Sequence, residues 1–544
     1  MQPAPRDSAG ARTPAAGRPP PCVLHEDEHL LVVAKPSGWN THAPAPHAGE
    51  GIYEWLRDRE PRWSGLAIMH RLDRDTSGVL VFAKTTTANR SLTQQFSRGE
   101  ALKRYLLLTD RPAPAGKLRV ETGIRRAGAA YAATPAQPGE RSAVTAFYPG
   151  TAPAGSQWTA LRAEPLTGRT HQIRVHAAHA GFPVLGDTLY GGTAAPRLCL
   201  HAECISLRHP QTGDMVSFSA PAQFDTDLGT ALRAAFIDPE DTDAWRVVHG
   251  AADAWPGCYV DRLGGFLLAQ SEARPDADQQ RRLMTPGTRG LYHRGLSREV
   301  RRLSVAQASP VHLAGEHADT LVVRENGVRF EMHLDDGYST GLFLDQRDNR
   351  RRLLVNHVAA GFTPFPHGAS GRRLLNAFAY TCGFSVCAAL AGAVVTSLDL
   401  SKKYLDWGRR NFELNGLDTA HHDFIYGDVF DWLRRLQKKD RRFDAIVLDP
   451  PTFSQSKERG VFRAERDFGR LAAEALPLLE PGGVLLAATN AARVRPETFI
   501  ATLRESARAV GRHAELEHYS PQPPDFPMTR AEPGHLKSVW LRIR

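Results

Sequence analysis

The sequence predicts a multidomain α+β and α/β protein: a mixed-sheet first part, a small β-rich middle part and a doubly wound α/β last part. Three observations predict it. A chain of 544 residues is too long for one hydrophobic core and should divide into about three to five domains. As far as Glu325 the apolar runs are short, rich in β-branched and aromatic residues and bounded by Gly, Pro and Ser, which is the pattern of strands. From Arg372 onward strand-like and helical runs alternate, as they do in an open sheet with helices on its faces.

Composition narrows the class. At 42% hydrophobic and 23% charged the chain is ordinary globular material. A net charge of +9 suits an anionic partner, though a merely basic surface would give the same number. Six cysteines include no C-x-x-C pair, so neither a zinc ribbon nor a disulfide framework is indicated, and a reducing cytoplasm fits. Residues 1–21, rich in Pro, Ala, Gly and Arg, read as a disordered leader. No apolar run reaches about 18 residues, so no membrane span is expected.

In the first part, Leu30 to Ala34 and Val79 to Lys84 read as strands, and Thr87 to Arg98 as a polar helix with Leu92 and Phe96 on one face. Between the strands lies His70-Arg71-Leu72-Asp73-Arg74-Asp75-Thr76-Ser77-Gly78, a loop with a carboxylate set among arginines. Such an acid must face solvent or be held by a cation, because an unpaired buried charge is very costly. Tyr105 follows on the strand Tyr105 to Leu108. In Gly168 to His176 (GRTHQIRVH), alternation along a strand would put Thr170, Gln172 and Arg174 on one face. Whichever arginine faces inward needs a carboxylate, and Asp73 is the natural partner.

HRLDRDTSG resembles the signature of the pseudouridine synthases that act on tRNA and 23S rRNA. Three further stretches match that family in order over residues 22–221: EHLLVVAKPSGWNTH from Glu28, Lys103-Arg104-Tyr105, and GRTHQIRVH followed by Pro183 to Asp187 and Leu200-His201-Ala202. The resemblance implies a pseudouridine synthase domain over 22–225. It makes Asp73 the essential acid, Tyr105 the active-site tyrosine and Arg174 the partner of Asp73, with Arg169 second. The reaction breaks the N1–C1′ bond of a uridine, turns the base and rejoins it through C5. It imports no group, so no cofactor and no metal is implied. Asp73 would either attack the sugar or base or remove a sugar proton. Tyr105 would stack beneath the uracil and could help remove the C5 proton. The uridine must leave its stack to reach the site, and Arg71 is the residue placed in the gap.

Asp225 to Asp243, polar and acid-rich, reads as a linker. Residues 244–335 carry short strands separated by Gly and Pro, and Arg246 to Arg262 resembles the β module that precedes the methyltransferase domain in certain rRNA methyltransferases. Its expected work is to hold RNA or to pack against its neighbour.

Residues 336–544 form the α/β domain. Strands are expected at Leu374 to Phe378, Val394 to Leu400, Phe424 to Tyr426, Phe443 to Leu448, Val484 to Ala488 and Lys537 to Leu541, with helices from Ser385 and over Lys402 to Leu414. The ligand of such a Rossmann-like sheet lies over the carboxyl ends of its strands. Asp399 ends the second strand, where an acid can bind ribose hydroxyls. The first turn, Ala379 to Phe384, has one glycine rather than three, which suits S-adenosylmethionine better than a dinucleotide. Asp449-Pro450-Pro451-Thr452-Phe453 places prolines and an aromatic at the sheet edge, a platform for a flipped base.

GYSTGLFLDQRDNR from Gly337 resembles the entry segment of large-subunit rRNA methyltransferases. With DPPTFSQSK and Ser397 to Ser401 it looks most like the enzyme half that makes N7-methylguanosine in 23S rRNA, apart from Ser339 for a usual lysine and Cys382 for a usual glycine. The resemblance implies a cofactor site at Phe378, Tyr380, Thr381, Gly383, Asp399, Asp428 and Asp449, with Pro450 and Phe453 against RNA. Methylation at pyrimidine C5 needs a cysteine thiolate. Related 5-methylcytosine enzymes carry it near the fifth-strand end, which here reads Ala487-Ala488-Thr489-Asn490, and no cysteine follows Cys387. A nitrogen target remains. The sequence thus reads as a cytoplasmic fused RNA-modification enzyme acting on large-subunit rRNA, with tRNA as the alternative substrate. The competing class is an RNA-binding or assembly protein in which only the first half is active.

Overall fold

The computed structural model describes residues 18–137, 139, 141–153, 155–296, 304–335, 337, 339–456, 460–529 and 532–544. The leader expected at 1–21 lies outside them as far as residue 17.

An 11-stranded mixed sheet organises the first part. Its main path runs Val23–Glu26, Leu30–Lys35, Ser77–Ala83, Leu200–Arg208, Leu102–Thr109, Thr159–Pro165, Ala143–Pro149, Leu118–Ala127 and Ala130–Thr134. One neighbouring pair is parallel: His201 stands opposite Ser77 and Ala202 opposite Gly78. Gly78 has φ 121, and a Cβ there would lie 2.2 Å from the Ala202 carbonyl oxygen, so the backbones can pair only with glycine at that position. Tyr105 sits on the next strand, opposite Ala202 on one side and Ala163 on the other. The loop carrying Asp73 therefore emerges in the middle of the sheet, one strand away from Tyr105.

Two expectations for this part are corrected. The motif from Gly168 is a turn followed by a helix, Gln172–His179, with His171 in the left-handed conformation at φ 56. Gln172 fixes that turn, since its Oε1 accepts from Arg169 N–H and Thr167 Oγ1 while its Nε2 donates to Val144 O and Thr145 Oγ1. The stretch from Asp225 to Asp243 contains a helix, Leu228–Phe236, capped by the Asp227 side chain. Leu232 and Phe236 are buried in the first core, and the Phe236 ring lies 4.4 Å from Trp39 and 4.5 Å from Trp55. The capping acids that gave this segment its linker-like composition start a helix whose apolar face is buried.

A five-stranded sheet, Ala244–His249, Tyr259–Leu263, Phe266–Ser271, Gly290–Gly295 and Val311–Gly315, and a hairpin, Thr320–Glu325 with Val328–His333, follow. The last sheet has the order Asp423–Tyr426, Val394–Asp399, Arg373–Ala377, Phe443–Leu448, Leu479–Thr489, Lys537–Ile543 and Ala514–Ser520. The first five are parallel and Lys537–Ile543 runs against both neighbours. The strand order reverses between Arg373–Ala377 and Phe443–Leu448, the place where such sheets open a crevice.

The helix Arg347–Leu354 ties the three parts together although its mean hydropathy is strongly polar. Arg347 pairs with Asp525 in the last part, Arg350 with Glu325 of the hairpin at 2.6 and 2.7 Å, and Arg351 with Glu60 in the first part. All six of these side chains are buried. Each pair compensates charges that would be untenable alone in that environment. No helix among the described residues is long and apolar enough to cross a membrane.

Candidate active sites

The turn from Lys35 to Thr41 grips the loop of Asp73. The Lys35 ammonium donates to the carbonyls of Pro36, Trp39 and Arg74, Gly38 N–H donates to Arg74 O, Ser37 Oγ to Asp75 O, and Thr41 Oγ1 to Leu72 O. Burial pulls the Lys35 pKa down to about 7. The backbone on both sides of Asp73 is thus held, and its side chain, 30% exposed, reaches a cleft of about 1030 Å³. Arg71, Tyr105, Arg169 and Arg174 line the same cleft.

Arg174 does not take Asp73 as its main partner. Its Nε and Nη2 donate to the two oxygens of buried Asp187 at 2.7 and 2.8 Å, and its Nη1 stands 3.9 Å from Asp73 Oδ2. Burial works against the Arg174 charge, but the Asp187 bonds outweigh it and the pKa is raised. The guanidinium also lies over the Tyr190 ring, 5.0 Å from its centroid. Two residues the sequence did not single out complete the surroundings. His171 Nε2 is 3.9 Å from Asp73 Oδ2, and His171 Nδ1 shares a 2.7 Å hydrogen bond with the Tyr190 hydroxyl. The left-handed His171 is a backbone signal that no sequence pattern carries. Arg169 donates to Arg141 O rather than to Asp73, and Arg71 is exposed at the cleft. Burial, and then the Asp73 charge, push the Tyr105 phenol pKa upward.

The second site is a cavity of about 820 Å³ over the carboxyl ends of the parallel strands. Phe378, Tyr380, Thr381, Gly383, Asp399, Asp428, Asp449 and Pro450 all line it. In the first turn Phe378, Tyr380 and Cys382 have φ of 63, 50 and 63, left-handed conformations that cost non-glycine residues about 1 kcal/mol or more each. Asp399 holds the turn, with Oδ2 accepting from Tyr380 N–H and Oδ1 from Ser401 N–H, both at 2.8 Å. Burial raises its pKa against those bonds. Thr381 Oγ1 donates to Gly341 O, and Asp428 caps the helix Val429–Lys438. Ser339, where a lysine was expected, shares a 2.6 Å hydrogen bond with the Tyr404 hydroxyl. Phe453 is not among the lining residues; it sits on the hairpin Phe453–Ser456 with Gly460–Arg463, under the Arg463 guanidinium at 5.1 Å. Val461 and Phe462 from the opposite strand line the cavity instead.

The donor set fits S-adenosylmethionine: an acid at the second strand end for ribose hydroxyls and aromatic walls from Phe378, Tyr380 and Phe462. A family model for S-adenosylmethionine-dependent methyltransferases matches residues 246–542, more than half of the sequence. The chain belongs to the S-adenosylmethionine-dependent methyltransferase family. A model for RNA pseudouridylate synthases matches residues 29–179, so this methyltransferase carries a pseudouridine synthase domain ahead of its methyltransferase domain. The methyltransferase is 35% identical over 335 residues to the ribosomal RNA large subunit methyltransferase of Deinococcus radiodurans, covering 58% of this chain and 78% of that protein. It is 35% identical over 324 residues to ribosomal RNA large subunit methyltransferase I of Aeromonas hydrophila, covering 57% and 78%. Among solved structures, human RNA pseudouridylate synthase domain containing 1 matches at 25% identity and a TM-score of 0.31, over 37% of this chain and 82% of that one.

Proposed function

We propose that the chain is a bifunctional enzyme of large-subunit rRNA, isomerising uridine to pseudouridine in its first domain (22–225) and methylating a base nitrogen, guanine N7, in its last (336–544). The observation that carries the first activity is Asp73, with its backbone clamped on both sides and its carboxylate open to a cleft shared with Tyr105 and Arg174. In this reading Asp73 performs the covalent or proton-transfer step, Tyr105 stacks under the base, and Arg71 and Arg169 meet the RNA. Arg174 holds Asp73 in place from its seat on Asp187.

For the second activity, Asp399 and the strained turn would hold S-adenosylmethionine, which supplies an electrophilic methyl group when bound. Pro450 and Asp449 would present the base. The cysteines support a nitrogen target: none of the six lines the cavity, and burial drives the Cys382 thiol up to about 12 and Cys387 upward as well. Guanine N7 has a free lone pair and needs positioning rather than activation by a thiolate. The names of the relatives favour rRNA over tRNA, and such a substrate would place the enzyme in the cytoplasm.

Mass-spectrometric mapping of rRNA and tRNA from cells with and without the gene tests both activities. One pseudouridine and one N7-methylguanosine should disappear from large-subunit rRNA. Asp73→Asn should remove the first alone while the protein still binds RNA. Unchanged rRNA, or losses confined to tRNA, would reject the substrate assigned here.

A further inference from the structure

Asp449 ends the Phe443–Leu448 strand at the cavity, and a chain of buried side chains arrives at its carboxylate from behind. The Trp540 indole N–H donates to Asn349 Oδ1 at 3.0 Å. Asn349 Nδ2 donates to Gln346 Oε1 at 2.7 Å and to Ser538 Oγ at 2.9 Å. Gln346 Nε2 donates to Asp449 Oδ2 at 3.0 Å. Trp540, Asn349, Gln346 and Ser538 are each no more than 2% exposed.

An amide can present either its oxygen or its nitrogen, but an indole can only donate. Trp540 therefore forces the Asn349 oxygen to face it, which turns the Asn349 nitrogen toward Gln346. That in turn fixes the Gln346 oxygen inward and its nitrogen toward Asp449. The orientation of both amides is set from the far end, 191 residues along the chain from Asn349.

We propose that Trp540, Asn349 and Gln346 form a relay of fixed polarity that positions Asp449 as an acceptor for N–H groups of the target base, one carboxylate oxygen pinned and the other left for substrate. The inference rests on the methyl-transfer reading and adds to it the edge being read: a base offering N–H donors, as guanine does through N1 and its amino group, is accepted, and a base edge lacking them is rejected. Gln346, Asn349 and Trp540 are positioning residues.

Asp449 must be ionised to accept those bonds. Burial, with the Asp345 carboxylate beside it, pushes its pKa up to about 7, while the Gln346 bond and then Arg350 act the other way. His535 holds Asp345 at 3.0 Å, and Asp399, Asp428 and Arg466 face the same cavity from its other walls. Losing the Gln346 N–H disfavours the charged form, so methyl transfer should require a higher pH.

The test uses the full-length protein, unmodified transcripts of large-subunit rRNA and labelled S-adenosylmethionine. Gln346→Leu should lower kcat/KM for RNA about tenfold or more and move the acid limb of its pH profile up by about one unit. The dissociation constant for S-adenosylmethionine should stay within about twofold. Trp540→Phe keeps the core filled and lies outside the cavity lining. It releases the polarity of the relay, should shift the acid limb in the same direction by less, and serves where Gln346→Leu does not fold. An unshifted acid limb in folded variants, or cofactor affinity falling in parallel with RNA turnover, overturns the relay. A wild-type protein that methylates no RNA overturns the reading beneath it, and the relay with it.

Discussion

Arg174 commits its fork to Asp187, at 2.7 and 2.8 Å, and meets Asp73 only with its remaining Nη1 at 3.9 Å. A cation already neutralised by one buried acid can stand beside a second without collapsing onto it, which leaves the Asp73 oxygens available to a substrate. Removing Asp187 would leave the guanidinium buried and unpaired. Asp187→Ala should lose about 3–5 kcal/mol of stability in urea unfolding. It should also slow pseudouridine formation by about 100-fold through misplacement of Arg174. Wild-type stability in that variant would show that Asp73 alone suffices as the partner.

Gly78 is a second point where one atom decides the site. An added Cβ meets the Ala202 carbonyl oxygen at 2.2 Å, and the backbone at φ 121 disfavours any side chain. Gly78→Ala should push the Ser77–Ala83 and Leu200–Arg208 strands apart and carry the Asp73 loop with them. The expected result is a loss of about 2–4 kcal/mol and of pseudouridine formation, with S-adenosylmethionine binding retained. Calorimetric titration of the cofactor and denaturant unfolding on one preparation separate the two effects.

Acid should weaken this fold through its buried histidines. Burial lowers the pKa of His176 and His201 to about 4 and of His249 to about 3, from an ordinary 6.5. The unfolded chain binds protons at these positions below 6.5 and the folded chain does not, so unfolding gains as pH falls from 6.5 toward 4. The stability these neutral imidazoles allow is present above 6.5. The urea midpoint should drop steadily from pH 7 to 5, and His176→Gln should reduce that slope. A flat midpoint over this range would contradict the sign.

Asp399→Ala removes both acceptors that hold the Tyr380 and Ser401 amides. The turn of left-handed residues loses its anchor together with the acid assigned to the ribose. Affinity for S-adenosylmethionine should fall by about 100-fold or more in calorimetry. Asp399→Asn keeps an oxygen for one of the amides and should fall between. Equal affinity in all three proteins would move the cofactor elsewhere in the cavity.

The elements that amphipathic or alternating patterns describe were legible without coordinates. Lys402–Leu414 and Phe443–Leu448 fall where expected, and Asp399 at the second strand end follows from the alternation of strand and helix. The turn from Gly168 was misjudged because residues 172–176 alternate polar and apolar side chains, while the buried Gln172 network and the left-handed His171 start a helix.

The pattern of residues along the chain already pointed to the groups that could do chemistry: an acid among arginines, a tyrosine on the next strand, an acid at a strand end and a fifth-strand end without a thiol. Those are statements of residue type and periodicity, carried by every few residues of chain. Who pairs with whom emerged with the fold, as in Arg174 with Asp187, Arg351 with Glu60 and Trp540 with Asn349. Arg351 and Glu60 lie 291 residues apart and Trp540 and Asn349 lie 191 apart. The reason is physical: a buried charge or amide must find a partner, but which partner lies within reach is set by how the sheets stack, and no local pattern records that.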